Sequence, residues 1–348
     1  MTLRHIRYLV PPLVALLVGC ATPSVKSVPP SDHFDGRRFF NPDGVQGSSG
    51  EQKQGPVALL RNLVKPPYRT WPEIPVTPSR PPAQVDGRTM RVTWIGHSTV
   101  LVQTQGLNIL TDPMWLARSS PVQFLGVKRV RAPGVRLEDL PRIDLILLSH
   151  DHRDHLDMHA MRRLWHRDKP LIVTGLGNDQ ILKRNGVHAE ARDWGGRVTL
   201  RPGVDVIVER AHHWSQYDPG DRDTTLWAGF TVTLPGGNLY FAGDTGPGDM
   251  RWATEARRAG PVRLAILPIG AYHFAGHETD NHIGPDQAVT AFDQLGAAYA
   301  IGVHWGTFEL TSEGINEPPE HLRAALAREH IAADRFRTPE AGEAWVIE

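Results

Sequence analysis

The segment His150-Asp151-His152-Arg153-Asp154-His155 constrains this chain most, because it concentrates three histidines and two aspartates in six residues. It directly follows residues 144–149, Asp-Leu-Ile-Leu-Leu-Ser, an apolar run typical of a buried strand. Such side chains are costly to bury without a partner, and zinc accepts both imidazole and carboxylate ligands. The segment therefore predicts a metal site at a strand end. The alternative, a solvated polar turn, is disfavoured by the apolar strand before it.

The overall composition is ordinary for a globular protein. Of 348 residues, 40% are hydrophobic and 22% are charged. Basic and acidic residues both number 38, so no bulk field would attract nucleic acid, and we expect none as a partner. The 17 histidines are numerous and lie mostly between residues 150 and 304, which favours a metal site.

The amino terminus predicts membrane attachment. Residues 8–18 are apolar but too short to span a bilayer, and they follow a positively charged start. The ending Leu17-Val18-Gly19-Cys20 resembles a bacterial lipobox, so we expect residues 1–19 to be a lipoprotein signal peptide and Cys20 to be lipidated. Ala21 favours sorting to the outer membrane, facing the periplasm. The alternative is a chance cysteine after an ordinary signal peptide. As Cys20 is the only cysteine, no disulfide forms within the chain.

Composition divides the rest of the chain into a linker and a body. Residues 20–55 are rich in Pro, Ser, Gly and Gln and predict a flexible tether. Residues 56–80 predict a short amphipathic helix, stopped by Pro66-Pro67, which either packs on the body or touches lipid. We expect one domain over residues 56–348.

Short strands and helices follow from residue 90 in a regular order. Strands come in a run and then alternate with helices, which is compatible with two sheets sandwiched between helices. The predicted strands are residues 91–95, 99–103, 107–111, 144–149, 171–174, 204–209, 230–234, 239–242, 264–269, 299–303 and 344–347. The predicted helices lie near residues 157–167, 177–185, 249–259, 285–295 and 319–329.

Further histidines and aspartates follow later strands. They lie in Leu110-Thr111-Asp112-Pro113, Ala211-His212-His213-Trp214, Gly243-Asp244-Thr245-Gly246 and His304-Trp305-Gly306-Thr307. With the first segment, this series resembles the metallo-β-lactamase-fold hydrolases. The resemblance implies an α/β fold of the αββα type, in which two mixed β-sheets are flanked by helices. It also implies two metal ions, zinc by default, although iron or manganese can occupy such sites.

The resemblance assigns the metal ligands in two groups with one shared member. One metal would be held by His150, His152 and His213, and the other by Asp154, His155 and His304. Asp244 would bridge the two metals with its carboxylate.

Other residues near the ligands receive different roles. His212 is the alternative to His213, which the adjacent Trp214 favours. Asp112 and His97 would support the metal loop structurally, and Asp151 would lie in the turn. His159 and His166, on the following helix, are expected at the surface.

A finer resemblance covers residue 36 to the end. The matching motifs resemble the phospholipase D family that hydrolyses N-acylphosphatidylethanolamine. They are Phe40-Asn41-Pro42, Trp94-Ile95-Gly96-His97-Ser98-Thr99, Leu110-Thr111-Asp112-Pro113, Ser120-Pro121, Phe241-Ala242-Gly243-Asp244-Thr245-Gly246, Pro268-Ile269-Gly270-Ala271-Tyr272 and His304-Trp305-Gly306-Thr307-Phe308. The implied reaction releases phosphatidate and N-acylethanolamine from a membrane lipid, with water activated by two metals. The resemblance also implies a homodimer.

Three residues receive roles in the reaction itself. Asp154 is expected to act in catalysis as well as in metal binding. His282, in the loop before a predicted helix, matches a substrate-contacting histidine and could protonate the leaving oxygen. His273 and His277 share that loop and are the weaker candidates. Arg153 replaces an aromatic residue of the phospholipase, so it could grip a phosphate, point to solvent or indicate another substrate.

Two other functions remain open at this stage. One is a lactonase or a phosphodiesterase that acts on a soluble metabolite, as in other members of the wider group. The other is an envelope lipoprotein that binds metal without catalysis. The complete ligand set argues against the latter, and nothing outside the metal loop supports β-lactamase activity.

Overall fold

The strand Leu145–Leu148 shows how the fold is built, because its side chains are buried on both faces. In the computed structural model, which describes residues 28–44, 71–274 and 277–348, Leu145 and Leu147 enter a core shared with the second sheet. Ile146 and Leu148 enter a separate core beneath helices. Because successive side chains of a strand point to opposite faces, an uninterrupted apolar run requires cover on both sides.

The strands form two seven-stranded mixed sheets and two short hairpins. In chain order they are β1 (Met90–Gly96), β2 (Thr99–Thr104), β3 (Leu107–Thr111), β4 (Arg118–Ser119), β5 (Val127–Lys128), β6 (Leu145–Leu148), β7 (Leu171–Gly175), β8 (Glu190–Arg192), β9 (Arg197–Arg201), β10 (Val204–Glu209), β11 (Gly229–Val232), β12 (Asn238–Phe241), β13 (Val262–Pro268), β14 (His273–Phe274), β15 (His277–Glu278), β16 (Tyr299–Val303), β17 (Phe336–Arg337) and β18 (Ala344–Ile347).

Both sheets combine parallel and antiparallel neighbours. The first has the order β18-β1-β2-β3-β6-β7-β8 and becomes parallel from β3 onward. The second has the order β17-β16-β13-β12-β11-β10-β9 and is parallel from β12 to β17. β4 pairs with β5 and β14 pairs with β15 as separate hairpins.

Helices cover the outer faces of both sheets. They are α1 (Met158–Asp168), α2 (Asn178–Arg184), α3 (Arg251–Ala256), α4 (Pro285–Leu295) and α5 (Glu317–Arg328). Apolar residues of α1 and α2 pack with the outward side chains of β6, whereas α3, α4 and α5 pack on the second sheet. The αββα sandwich with two mixed sheets that the resemblance implied is therefore confirmed.

The strands that the sequence did not predict are the two short hairpins and strands at the edges of the large sheets. β8 and β9 each end a sheet and carry exposed charged residues, and β17 is only two residues long. Edge strands pair on one side only and are often short and charged, so they lack the apolar pattern of a central strand. All the predicted central strands are present.

Several sequence-based segment predictions lie outside the described residues. The amphipathic helix predicted in residues 56–80, stopped by Pro66-Pro67, is one of them; from Trp71 onward the segment has no helix, and Ile74 forms a β-bridge with Arg131. The signal peptide over residues 1–19 and the lipidation site Cys20 lie outside the described residues, and both remain predictions. Within the described part of the chain, no helix is long and apolar enough to cross a membrane.

Residues 28–44, predicted to belong to the flexible tether, instead pack on the body. Phe34 and Phe39 are buried in a small apolar cluster with Trp227. The ring of His33 stacks on Trp194 at 4.4 Å, and its Nε2 lies 2.7 Å from Asp193 Oδ1. The high content of Pro, Ser and Gly predicted a flexible segment, and the burial of Phe34 and Phe39 was therefore not predicted.

His33 gives this segment a pH-dependent attachment. Its Nδ1 lies 2.6 Å from Asp32 Oδ1. Burial of the ring opposes protonation, but the hydrogen bonds to Asp193 and Asp32 outweigh it and raise the pKa of His33 above 6.5. A pKa raised on folding contributes stability fully below the unfolded-state value, and this contribution is lost as the pH rises through the folded-state value.

We therefore predict a pH-dependent loss of stability in His33→Gln. The free energy of unfolding should fall by about 1 kcal/mol below about pH 6, because a charge-assisted pair is removed, and by less towards alkaline pH. Urea unfolding of both proteins from about pH 5.5 to about pH 8.5 measures this difference. His188→Gln, at an exposed histidine, is the control and should show no such trend. A difference for His33→Gln that stays flat or grows with pH contradicts the prediction.

Candidate metal centre

The candidate ligands meet because they follow strands that end at one edge of the sandwich. The segment 150–155 follows β6 of the first sheet. His213, Asp244 and His304 follow β10, β12 and β16 of the second sheet. Since β6, β12 and β16 belong to parallel portions of their sheets, their carboxyl ends face the same side.

Three imidazoles form the first half of the centre. His150 Nε2 lies 2.8 Å from His152 Nδ1, and His213 Nε2 lies 3.3 Å from the same nitrogen. His150 and His213 are fully buried. These three nitrogens form a group compact enough to hold one cation.

Asp154, His155 and His304 form the second half. Asp154 Oδ2 lies 3.6 Å from His155 Nε2 and 3.6 Å from His304 Nε2. His97 Nε2 lies 3.0 Å from the same oxygen and joins this group. His97 therefore orients the Asp154 carboxylate from the side opposite the first half.

The Asp244 carboxylate lies between the two halves. Its Oδ2 lies 3.0 Å from His155 Nε2 and 3.1 Å from His304 Nε2. The same oxygen lies 3.9 Å from His150 Nε2 and 3.8 Å from His213 Nε2. One oxygen thus faces nitrogens from both halves, which is the position required of a bridging ligand.

Two ligand atoms have no hydrogen-bond partner although they are buried. They are His155 Nε2 and His304 Nε2, which both face Asp244 Oδ2. The two short distances from Asp244 Oδ2 do not have hydrogen-bond geometry. Unpartnered buried polar atoms are rare because they cost free energy, and here they surround one point. The donor set of imidazoles and carboxylates therefore fits divalent cations such as zinc.

Electrostatics at the centre keep the carboxylates in the form that binds a metal and favour protonation of His155. Burial would lower the pKa of His155, but the carboxylates of Asp244 and Asp154 outweigh it and raise that pKa well above its usual value. Burial, with the neighbouring imidazoles, lowers the pKa of His150. Burial would raise the pKa of Asp244, but His155 and His304 hold it well below its usual range. The carboxylates thus stay ionised, as metal ligands must.

Asp112 fixes the orientation of two ligands from below. Its Oδ2 accepts from His155 Nδ1 at 2.7 Å and from Ser149 Oγ at 2.6 Å. Ser149 Oγ lies 2.8 Å from His150 Nδ1. Hydrogen bonds at Nδ1 leave Nε2 of both histidines free to bind a cation. The structure thus places Asp112 where the sequence predicted a supporting aspartate.

Gly243 permits the close approach of the two sheets at this point. Its φ is +63°, and a Cβ there would lie 2.6 Å from Ser149 Cβ. A side chain would therefore push the turn before Asp244 away from the strand end that carries His150.

The structure resolves the two choices that the sequence left open around the ligands. His212 Nδ1 pairs with Asp43 Oδ2 at 2.7 Å, so it turns away while His213 faces the centre. Asp151 Oδ2 accepts from Thr225 Oγ1 at 2.7 Å and joins no ligand group. Burial raises the pKa of Asp151 to about 7.

A cavity of about 450 Å³ opens directly above the centre. Asp154 and Asp244 line its floor and His282 its side. His282 Nδ1 has no hydrogen-bond partner and lies 3.8 Å from Asp244 Oδ2. His282 thus faces the cavity, and its contact with the substrate remains a prediction.

Arg153 lines the same cavity, but its guanidinium has partners in the protein. Its Nη2 donates to Asp218 Oδ1 at 2.8 Å, and its Nε donates to the carbonyl of Tyr217 at 3.0 Å. Its Cζ also lies 3.5 Å from the centre of the Tyr217 ring. A phosphate would have to share this side chain with Asp218.

Sequence reasoning missed several residues that complete the site. Ser149 could have been found, because it lies between the predicted strand and His150. The Asn281 carbonyl lies 3.0 Å from His213 Nδ1. It could not be predicted from the sequence, because every residue has a backbone carbonyl. The cavity walls formed by Leu310 and Thr311 come from a loop without a motif.

Comparison with known proteins gives a consistent family. A family model described as a β-lactamase superfamily domain matches residues 107–305. N-acyl-phosphatidylethanolamine-hydrolyzing phospholipase D 1 of Caenorhabditis elegans is 36% identical over 265 residues, which cover 73% of this chain and 74% of that protein. The mitochondrial protein of that name in Saccharomyces cerevisiae is 32% identical, and the match covers 72% of this chain and 54% of the yeast protein.

More distant similarities agree on fold. A UPF0173 metal-dependent hydrolase of Nitratidesulfovibrio vulgaris is 30% identical over 67% of this chain and 87% of its own length. The solved structure of Igni18, a metallo hydrolase of Ignicoccus hospitalis, has a TM-score of 0.55 at 24% identity, covering 75% of this chain and 99% of that chain.

The position of Asp244 predicts a specific loss of metal in Asp244→Asn. Loss of the charge between the two halves should lower the bound zinc below that of the wild type, while the similar shape of asparagine preserves the fold. Elemental analysis after dialysis, with circular dichroism on the same samples, measures both. Asp151→Asn makes the same exchange beside the centre and should keep the wild-type zinc content. Equal zinc in Asp244→Asn and the wild type would rule out a bridging role.

Proposed function

The chain belongs to the β-lactamase superfamily and is a metal-dependent hydrolase, and from this we propose that it cleaves the head-group phosphodiester of N-acylphosphatidylethanolamine-like lipids. The products would be phosphatidate and N-acylethanolamine. The observation that carries this proposal is the cavity above Asp244, which combines a charged floor with apolar side chains that stand among polar ones in its walls. Zinc is the proposed metal, with two ions per chain.

The cavity walls suit a lipid better than a small polar metabolite. Trp214, Phe274 and Leu310 line it above the carboxylates of Asp154 and Asp244. A phosphodiester at the floor would leave attached acyl chains beside these apolar side chains, which favours burial of hydrocarbon. Relatives named as phospholipases of this type, in a worm and a yeast, support the same substrate class.

The residues of the chain divide the catalytic tasks. When bound, two divalent cations would supply a water of lowered pKa and neutralise charge on the phosphoryl group. Asp154, oriented by His97, faces both the cavity and the ligand cluster, so its carboxylate can accept a hydrogen bond from the attacking water. Trp214 packs on His152, with ring centres 4.1 Å apart, and shields the floor from solvent.

His282 is the residue proposed to act on the leaving group. Its unpartnered Nδ1 points towards the floor, and its side chain is 16% exposed, so it can reach a bound substrate. An imidazole in this position can donate a hydrogen bond to the phosphoryl group. Burial lowers the pKa of His282 to about 4, so donation of a proton to the departing alkoxide requires that the bound phosphate anion raise this pKa.

A membrane location fits this substrate and remains part of the proposal. Lipidation of Cys20 would hold the enzyme at the surface where its substrate resides, in the cell envelope and facing the periplasm. A lactonase or a phosphodiesterase of soluble metabolites is the alternative function.

The first test is a substrate panel. The metal-loaded protein should hydrolyse N-acylphosphatidylethanolamine, should leave phosphatidylethanolamine largely intact and should lose activity when the metal is chelated. A lactone panel and bis(p-nitrophenyl) phosphate test the alternatives, with products identified by mass spectrometry. Cleavage of lactones alone would overturn the lipid assignment.

The second test separates proton donation from binding at His282. Glutamine can donate a hydrogen bond but not a proton at neutral pH, so His282→Gln should lower kcat about 10²-fold for the lipid. The same variant should retain most activity on bis(p-nitrophenyl) phosphate, whose leaving group needs no protonation. His277→Gln, at the exposed mouth of the cavity, should match the wild type on both substrates. An equal loss on both substrates in His282→Gln would refute proton donation.

A further inference from the structure

The outer face of α1 carries an unbroken row of basic residues. At positions i, i+3, i+4, i+7 and i+8, this spacing places side chains on one face of a helix. The row is His159, Arg162, Arg163, His166 and Arg167. The opposite face, with Ala160, Met161 and Leu164, is buried against the first sheet.

The row is exposed, and most of it has no partner. The side chains of His159, Arg162, Arg163 and His166 make no hydrogen bond or ion pair with any residue that the structure describes, whereas Arg167 pairs with Asp168. Unpaired guanidinium groups on one helix face produce a local positive field although the whole chain has no net charge.

This basic face borders a groove of about 810 Å³. The side chains of Leu137 and Met158 lie beside the basic groups, with the buried Leu164 beneath them, and none of the acidic residues that the structure describes lines the groove. Glu138 and Asp139, which neighbour Leu137 in the chain, pair with arginines outside the groove. The groove thus offers positive charge around an apolar floor.

None of the groove residues lines the cavity above the metal centre. The groove therefore takes no part in metal binding or catalysis at that centre. Exposed arginines have a cost in self-repulsion when they are placed side by side, and an anion relieves it.

We propose that this groove binds the head groups of anionic phospholipids and docks the body on a charged membrane surface. Arginine matches phosphate oxygens in a bidentate manner. The row extends over about 12 Å of helix, more than a single phosphate needs, so it suits neighbouring head groups. The apolar floor accepts the first carbons of the lipid chains. This site is independent of the substrate proposed above.

Vesicle binding tests the docking proposal with a matched pair of double variants. Arg162→Gln/Arg163→Gln removes two charges from the groove, whereas Arg257→Gln/Arg258→Gln removes the exposed Arg-Arg pair of a short helix on the second sheet. Every protein in the test is the metal-loaded full chain with Cys20→Ser, so no lipid is attached to any of them. Any contribution of the amino terminus to vesicle binding is therefore the same in the parent and in both variants. Co-sedimentation compares phosphatidylcholine vesicles with and without phosphatidylglycerol.

The proposal expects binding that requires phosphatidylglycerol and weakens with added salt. Arg162→Gln/Arg163→Gln should bind these vesicles about 30-fold more weakly, the loss expected for two charges near a membrane surface. The control pair should bind like the parent, and the circular dichroism spectra of both variants should match that of the parent, which reports folding. The vesicles contain no substrate, so the outcome does not depend on the proposed function.

Three results would overturn the proposal. The first is an equal loss of binding in both double variants, and the second is binding that ignores phosphatidylglycerol. The third is release of the protein from vesicles by millimolar inorganic phosphate, to a greater extent than by chloride at the same ionic strength. Such release would indicate a site for free anions.

Discussion

The metal centre depends on one constraint. The Asp244 carboxylate must lie among imidazoles that come from separate segments of the chain. A buried carboxylate needs compensating charge or hydrogen bonds, and here Oδ1 has no hydrogen-bond partner. The compensating groups are His155 and His304, whose nitrogens face the other oxygen, Oδ2. Residues that follow four strands of the two sheets, together with the supporting Asp112, bring the carboxylate and the imidazoles next to each other.

Backbone strain collects around this point. His97, Asp112 and His304 adopt positive φ values of 53°, 29° and 64° although none is glycine. Such conformations persist only where the surroundings impose them, and here each residue contacts the ligand cluster. The geometry of the centre is therefore held by the scaffold before any cation binds, which lowers the cost of ordering ligands around one.

The sequence predicted the central strands, the covering helices and the places where ligands follow strands, because those features depend on local pattern. The grouping of His150 with His213, and of Asp154 with His304, came from resemblance, since positions this far apart leave no periodic trace. The edge strands and the cavity walls were missed for a related reason: Leu310 and Thr311 gain their role only from what packs beside them. Arg153 was recognised as unusual, but its pairing with Asp218 depends on a loop that the pattern did not place.

The division of ligands between the sheets has a consequence for unfolding. His150, His152, Asp154 and His155 belong to the first sheet, and His213, Asp244 and His304 belong to the second. Cations held by both sets would act as cross-links between the layers, and a single cation would join positions up to 150 residues apart in the chain, counted from Asp154 to His304. A cross-link of this reach restricts the unfolded chain strongly and makes the two layers separate in one step. The single cysteine precludes disulfides within the chain, so the metal centre would link the two layers as a disulfide does in other proteins.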